Sequence, residues 1–433
     1  MSNFSDTIYA LSTPPGKSAI AVIRISGGES INILKKISLA PPKKTRTTTL
    51  STITDGKNKI DNAVCVIYKA PNSYTGEDMV ELSLHGGSAV IKKMLEILKK
   101  QKDSRLAERG EFTKRSLLNN KLDLNQVEGI ADIINSETEA QRKQAFMQIQ
   151  GKLSLEIKKI SNLIKGVLAN IEATIDFSDE ELPKNMIKKI KEQIKNIILK
   201  LHDLLKSSNI GTKIRNGFVV SVVGKPNTGK STFINHIAQR EIAIVTDIPG
   251  TTRDAIEVFA DFNGTPIKFY DTAGIRKPSN KVEKMGISKT YKIIENADIN
   301  LVFISSANEM KKYNNVKNAI FIKSKTDKQN PIIHKNIINI SGKTGKGCEK
   351  IFNKITKKLN NKSLGEEINV SRERHIIAIE KTLENLEKSN EFKNYDLFAE
   401  DIRRALVEIS KISGKNDVED ILEIIFNDFC IGK

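Results

Sequence analysis

The stretch Gly224-Lys225-Pro226-Asn227-Thr228-Gly229-Lys230-Ser231 carries chemistry in its residue types and spacing. It fits G-x-x-x-x-G-K-[ST], a loop that wraps nucleotide phosphates. Its glycines let backbone N–H groups turn inward on the phosphates. Lys230 reaches the terminal phosphates as a point charge, and the Ser231 hydroxyl can hold Mg²⁺. Asn227, Thr228, Gly229, Lys230, Ser231 and Thr232 are thus expected at the nucleotide. The motif needs a strand before it and a helix after it. Phe218–Val223 is apolar and β-branched, and Thr232–Ala238 can be helical. An ordinary strand-to-helix turn is the bland alternative.

The downstream sequence decides against that alternative. Gly250-Thr251-Thr252-Arg253-Asp254 reads as a first switch, with Thr252 closing on Mg²⁺. Two strand-like runs follow, Ala255–Ala260 and Ile267–Tyr270, joined by Asn263-Gly264, a hairpin signal. The second ends in Asp271-Thr272-Ala273-Gly274, an Asp that meets Mg²⁺ through water and a Gly whose N–H approaches the γ-phosphate. Strands Ile299–Ile304 and Ala319–Lys323 lead to Ser324-Lys325-Thr326-Asp327, a variant of the Asn-Lys-x-Asp guanine reader. Asp327 can accept from the N1–H and amino group of guanine, which adenine does not offer. A last strand, Ile337–Ile340, runs into Ser341-Gly342-Lys343, like a fifth GTPase motif. Five elements in this order define a GTPase. Two departures stand out. Ser324 replaces Asn and removes an amide that would contact the base and brace its loop, which points to weaker guanine affinity. Ile275 stands where a water-positioning Gln would sit, so hydrolysis must borrow a polar group or be very slow.

These motifs need a parallel sheet with helices, and the rest of the chain must position that unit. At 433 residues, about two to four domains are expected. Residues 1–119 read as mixed α/β, with strands at Ala19–Ile25, Ala63–Tyr68 and Met79–Leu84 and a polar loop at Pro71–Asp78. His85 reads as a loop residue beside the Gly86-Gly87 turn, and not as a metal ligand, because no second His or Cys lies at ligand spacing. From Asn125 the pattern is helical. Ile149, Leu153, Ile157, Ile160, Ile164, Val167 and Ile171 form one apolar stripe, and Met186, Ile190, Ile194, Ile197, Leu201 and Leu204 a second, after a break at Ser178–Pro183. Helical periodicity returns beyond the GTPase motifs, from Ile376 to Ile425. A helical domain (120–214 and 363–433) split by an inserted GTPase domain (215–362) explains both amphipathic flanks; separate bundles are the alternative. The inserted domain reads as trimmed, since Ser305–Asn318 and Lys328–Asn336 leave little room for helices.

Lys and Arg number 70 against 52 Asp and Glu, a formal charge of +18. That favours a polyanionic partner such as RNA, or an anionic membrane; a bias toward Lys, Asn and Ile in the chain accounts for it equally well. No signal peptide and no apolar run of about 18 residues are present, so a cytoplasmic protein without a membrane span is expected. Cys65, Cys348 and Cys430 are too widely spaced for a disulfide framework or a zinc site, and Cys65 reads as core.

Along nearly its whole length the chain resembles the MnmE (TrmE) family of tRNA uridine-modification GTPases. The resemblance rests on Asp6-Thr7-Ile8, Thr13-Pro14-Pro15-Gly16, Arg24-Ile25-Ser26-Gly27, Pro71–Asp78, His85-Gly86-Gly87 and Gly110-Glu111-Phe112-Thr113. It rests further on Asn120-Lys121-Leu122-Asp123-Leu124, the GTPase motifs and the closing Phe429-Cys430-Ile431-Gly432-Lys433. A ribosome-assembly GTPase of the Era or EngA type shares the GTPase core and an Ile275-like substitution; the N-terminal segments and the C-terminal ending separate the two readings. The resemblance implies a multidomain α/β plus all-α fold: an N-terminal α/β folate-binding domain that dimerises, a discontinuous helical bundle and an inserted Ras-like P-loop GTPase domain. It implies a homodimer working with the FAD-containing MnmG in a heterotetramer or larger complex. Together they would add an aminomethyl or carboxymethylaminomethyl group to C5 of the wobble uridine of certain tRNAs, with a one-carbon unit from a tetrahydrofolate derivative, a 5-formyl or methylene form.

Matched residue by residue, the resemblance gives Arg24, Glu81, Lys121 and Lys433 as folate contacts. Cations suit folate's glutamate tail, and a carboxylate suits the pterin N–H edge. Taken alone, Arg24 and Lys121 read as surface ion-pair partners and Glu81 as an edge-strand charge. Asn227, Thr246, Ile248 and Thr251 match a K⁺ site in a nucleotide loop that also takes in Asp247, Pro249 and Gly250. A K⁺ there would stabilise developing phosphate charge. Glu283 matches a water-orienting carboxylate that answers the problem posed by Ile275, against the plain reading of an exposed helix-start Glu; Arg253, Asp254 and Arg276 match switch residues. For the tail, three readings compete. It is a poor prenylation box, because Gly sits where an aliphatic residue is wanted. It fits a buried helix end with Gly432 as its stop. The resemblance favours a third: delivery of Cys430 and Lys433 to the folate site, where Cys430 would act as a nucleophile or redox thiol if nearby cations lower its pKa.

Overall fold

The computed structural model describes residues 6–176, 185–239, 243–244, 257–271, 292–359, 370–388, 395–414, 425–426, 429 and 431–433. The chain divides into two compact units. One comprises 1–131, 148–162 and 406–433; the other comprises 132–147 and 163–405.

The first unit is built on β1 (Thr7–Leu11), β2 (Ser18–Ser26), α1 (Ser30–Ile37), β3 (Thr49–Thr54), β4 (Lys59–Tyr68), β5 (Met79–Gly86), α2 (Ser88–Lys99), β6 (Ser104–Leu106), α3 (Glu111–Leu118) and the start of α4 (Leu124–Ile134). The sheet order is β3-β4-β5-β2-β1-β6. Alternation within the strands sends Ile23, Ile25, Cys65, Ile67, Val80 and Leu82 into one core with Ile33, Leu34, Met94 and Leu98 of the helices. Period-two alternation leaves Arg24 and Glu81 on the opposite face. His85 is not in a loop. It continues β5, pairs with Ile20, and its Nδ1 lies 2.7 Å from the Asp61 carboxylate. The Gly86-Gly87 pair looks like a turn in sequence, yet the ladder to β2 runs through Gly86, which has no room for a side chain against Ser18.

Two motifs of this unit serve packing. Gly110 has φ +66° and caps α3; a Cβ there would meet Phe426 Cδ1 at 2.6 Å. Phe112 is fully buried, and Thr113 shares a 2.8 Å hydrogen bond with the Tyr74 hydroxyl. Asp123 and Gln126 cap α4 reciprocally, each backbone N–H donating to the other's side chain at 3.0 and 2.9 Å.

The next helices are α5 (Glu139–Ile149), α6 (Lys152–Asp176) and α7 (Asn185–Asn216). The apolar stripe expected from Ile149 to Ile171 is interrupted: Gly151, at φ +72°, ends one helix, and Ile149 belongs to α5, not α6. The break at Ser178–Pro183 lies outside the described residues. The second unit then forms β7 (Phe218–Gly224), α8 (Lys230–Ala238), β8 (Ala243–Ile244), β9 (Glu257–Phe262), β10 (Thr265–Asp271), β11 (Ile299–Phe303), β12 (Ala319–Lys323), β13 (Ile337–Asn339) and α9 (Cys348–Leu359). Its sheet order is β13-β12-β11-β7-β10-β9-β8, with β13, β12, β11, β7 and β10 parallel and the β9–β10 hairpin antiparallel. Between β11 and β12 there is only a 3₁₀ turn, Ala307–Tyr313, and no helix lies among residues 328–336, in line with a trimmed domain. Phe233, Phe269, Phe303 and Phe352 fill the space between α8, the sheet and α9. Helices α10 (Glu373–Lys388) and α11 (Tyr395–Lys411) follow. Among the described residues, no helix is long and apolar enough to cross a membrane.

Asp132 receives Arg215 Nε at 3.0 Å and Arg372 at 2.8 Å, so one carboxylate ties the chain just before β7 to the chain just before α10. Lys213 adds an ion pair to Asp298 at 2.6 Å, at the foot of β11.

Candidate functional site

The phosphate loop lies between β7 and α8 as its motif requires. Gly224 has φ +149° and abuts the Phe303 carbonyl of the parallel neighbour β11, so no side chain fits there. Asn227, at φ +61°, stands exposed at the apex, and the Thr228 hydroxyl closes the turn by donating to Lys225 O at 2.8 Å. Gly229 precedes α8 with φ +96°. Lys230 is buried, and its ammonium donates to Gly224 O at 2.8 Å and Lys225 O at 2.7 Å. Burial lowers its pKa from the usual lysine value, with the Asp271 charge opposing. The Ser231 hydroxyl donates to Asp271 Oδ2 at 3.2 Å. Two hard oxygen donors this close, one anionic, suit Mg²⁺. Asp271 reaches this position because β10 runs parallel to β7 with Asp271 opposite Val222.

The turn expected to read the base follows β12. Lys325 has φ +63°, Thr326 N–H donates to Ile340 O at 3.1 Å, and Ser341 Oγ donates to Asp327 Oδ1 at 2.8 Å. That hydrogen bond, foremost, holds the Asp327 carboxyl below its ordinary range, so it is an anionic acceptor at neutral pH. Gly342 lies tight against the backbone of α8, and Lys343 is exposed beside it. The Ser341–Asp327 bond escaped the sequence reading, since nothing in the spacing pairs two motifs 14 residues apart.

Several expected residues lie outside the described residues: Thr246, Asp247, Ile248, Pro249, Gly250, Thr251, Thr252, Arg253, Asp254, Thr272, Ala273, Gly274, Ile275, Arg276, Glu283 and Cys430. Thr232 follows Ser231 in the first turn of α8.

A second cluster forms in the first unit. The β2–β5 register sets Arg24 directly opposite Glu81, and Arg24 Nε donates to Glu81 Oε1 at 2.7 Å. The Tyr68 hydroxyl lies 3.4 Å from Glu81 Oε2, and the Arg24 guanidinium sits 5.5 Å from the centre of the Tyr74 ring. Lys121 Nζ donates to Pro71 O at 3.0 Å and packs along the same loop at Gly76. Tyr68 and Tyr74 were not singled out in the sequence; their one signal was position, at a strand end and within the polar loop. The tail joins the same unit. Ile431 bridges to Arg109, and Ser12 Oγ donates to Gly432 O at 3.0 Å. Gly432 has φ +100° and is pressed against the Leu11 carbonyl. Leu11 is next to Ala10, the β1 partner of Arg24. Residues 431–433 therefore turn against β1.

Known proteins resemble the chain along its length. Residues 7–121 match the family model described as "GTP-binding protein TrmE N-terminus", and residues 124–430 match "MnmE helical domain". A protein of Pelagibacter ubique, "tRNA modification GTPase MnmE", is 40% identical over 99% of this chain and 100% of its own length. Proteins with the same description from Roseobacter denitrificans and a Wolbachia of Brugia malayi are 37% and 38% identical over 99% and 100% of this chain, and over the full length of each. With both units matched and relatives aligned from end to end, the chain belongs to the MnmE family of tRNA modification GTPases.

Proposed function

We propose that this protein hydrolyses GTP in the service of tRNA wobble-uridine modification. With an FAD-containing MnmG partner it adds an aminomethyl or carboxymethylaminomethyl group at C5. It acts as a cytoplasmic homodimer, with domains at 1–119, 120–214 plus 363–433, and 215–362. The observation that carries the reading is the tail. Gly432, pressed on Leu11, brings the chain end to β1, the strand paired with β2, on which Arg24 meets Glu81 of β5.

At the nucleotide, Lys230 would turn its ammonium from backbone carbonyls to the terminal phosphates, its lowered pKa reflecting a site already shielded from water. Ser231 and Thr252 would hold Mg²⁺, with Asp271 beside them, and the ion would neutralise charge on the phosphates. Asn227, Thr246, Ile248 and Thr251 would hold K⁺, and Glu283 would orient the attacking water in place of a side chain at 275. Arg253, Asp254 and Arg276 would act in the switches. At the second cluster, Arg24, Lys121 and Lys433 would pair the folate carboxylates, and Glu81 would accept from the pterin edge. The tetrahydrofolate derivative would supply the one-carbon unit.

Mass spectrometry of wobble uridines in tRNA from a strain lacking this protein tests the reading. Loss of the C5 substituent is expected; unchanged nucleosides in a strain without a redundant route would sink it. Complementation with Cys430→Ser should restore GTP hydrolysis without restoring the modification.

A further inference from the structure

Ser324 departs from the guanine-reading motif, and the structure shows where its side chain goes. The residue is 4% exposed. Its Oγ and Cβ lie 2.6 and 3.0 Å from the point a Cβ on Gly229 would occupy. Ser324 is thus seated on the phosphate loop, filling the space left by a glycine at φ +96°. Among the described residues its hydroxyl has no hydrogen-bond partner. The turn that follows is held elsewhere, by Ser341 on Asp327, by Thr326 N–H on Ile340 O, and by Lys323 Nζ on Gln329 Oε1 at 2.6 Å. Residue 324 is not needed to keep Asp327 in place.

The two edges of guanine offer different chemistry. N1–H and the 2-amino group are donors and suit Asp327; N7 and O6 are acceptors and need a donor. An Asn amide at 324 carries two N–H donors on a side chain one atom longer than serine's reach. The serine hydroxyl ends at Gly229. We propose that this protein leaves N7 of guanine without a contact from residue 324, so that it accepts guanine nucleotides altered at N7. This rests on the GTPase reading and adds a specificity to it. N7 is common to guanine and adenine, so losing its contact weakens binding without relaxing the choice between the two bases.

Equilibrium binding to the full-length chain tests the proposal, with GTP, 7-deaza-GTP and ATP as probes in Mg²⁺ and K⁺. GTP and 7-deaza-GTP should bind within about twofold of each other. Ser324→Asn should tighten GTP by up to about tenfold, the range of one net hydrogen bond, and leave 7-deaza-GTP where it was. A fivefold or greater loss with 7-deaza-GTP in the unaltered protein would overturn the proposal, because N7 would then be read. Equal tightening of both nucleotides by Ser324→Asn would overturn it too. If that variant does not fold, the comparison in the unaltered protein decides alone. ATP binding as tightly as GTP would remove the guanine reading beneath the proposal, an outcome distinct from N7 discrimination.

Discussion

Gly432 shows how one residue can limit a site. Its φ of +100° and its contact with the Leu11 carbonyl exclude a side chain. Gly432→Ala should cost roughly 1–3 kcal/mol at this turn and release the tail from β1. Limited proteolysis should then remove the C-terminus faster while GTP hydrolysis is unchanged; an intact tail in the variant would show that the turn adapts. Glu283 belongs to the same scale. Since Ile275 cannot position water, Glu283→Ala should lower kcat by about 10²–10⁴, the range of a positioned acid–base group, with GTP affinity nearly constant. Single-turnover hydrolysis at saturating GTP makes the measurement, and normal turnover would make Glu283 an ordinary solvated residue.

At the scale of elements, α3 is anchored by charge. Arg115 is fully buried and reaches Glu111 at 3.1 Å, Asp6 at 2.8 Å and Glu77 at 3.1 Å; Arg105 adds a 2.6 Å contact to Glu111. Burial pushes the Glu111 carboxyl up, but hydrogen bonds from Arg105, the Glu108 N–H and Arg115 outweigh it and hold the group below its ordinary range. Asp6 follows the same balance, with Arg115 and Arg105 prevailing. Depressed carboxylates contribute stability that is present above their unfolded pKa, about 4, and lost as pH falls through the folded values. Thermal unfolding of the first unit should therefore move to lower temperature as pH drops below about 4. Glu111→Gln should be less stable at neutral pH and show a shallower acid dependence. An unchanged acid profile in that variant would place the sensitivity elsewhere.

For the whole molecule, ion dependence is the informative property. An exposed Asn227 at the loop apex fits a cation bound against the phosphates. GTP hydrolysis should be slow in Na⁺ and accelerate in K⁺, because the larger ion fits a cage of backbone oxygens, and the GTPase domains of two chains should pair in that state. Rates compared at matched ionic strength check it, with light scattering for pairing; equal rates in the two salts would count against it.

What the sequence determined by itself was local chemistry. The placement of Lys230, Ser231, Asp271 and Asp327 at or after strand ends was legible because the motifs carry them at short, fixed spacings behind apolar runs. The parallel strands were legible as apolar runs. The Arg24–Glu81 cluster was visible only through resemblance, since ionisable residues 57 apart carry no joint signal until a β-register opposes them. His85 looked like a loop residue because the glycines after it obscured the continuing ladder. The stripe through Ile149 looked like one helix because periodicity survives a tight turn at Gly151. Gly110-Glu111-Phe112-Thr113 carried no chemistry in its spacing; packing against Phe426 and charge around buried Arg115 show what it does. Tertiary structure alone decided that Ser341 braces Asp327 and that the chain end folds onto Leu11. Both are contacts between distant segments, and close packing selects such contacts without leaving a periodic trace in the sequence.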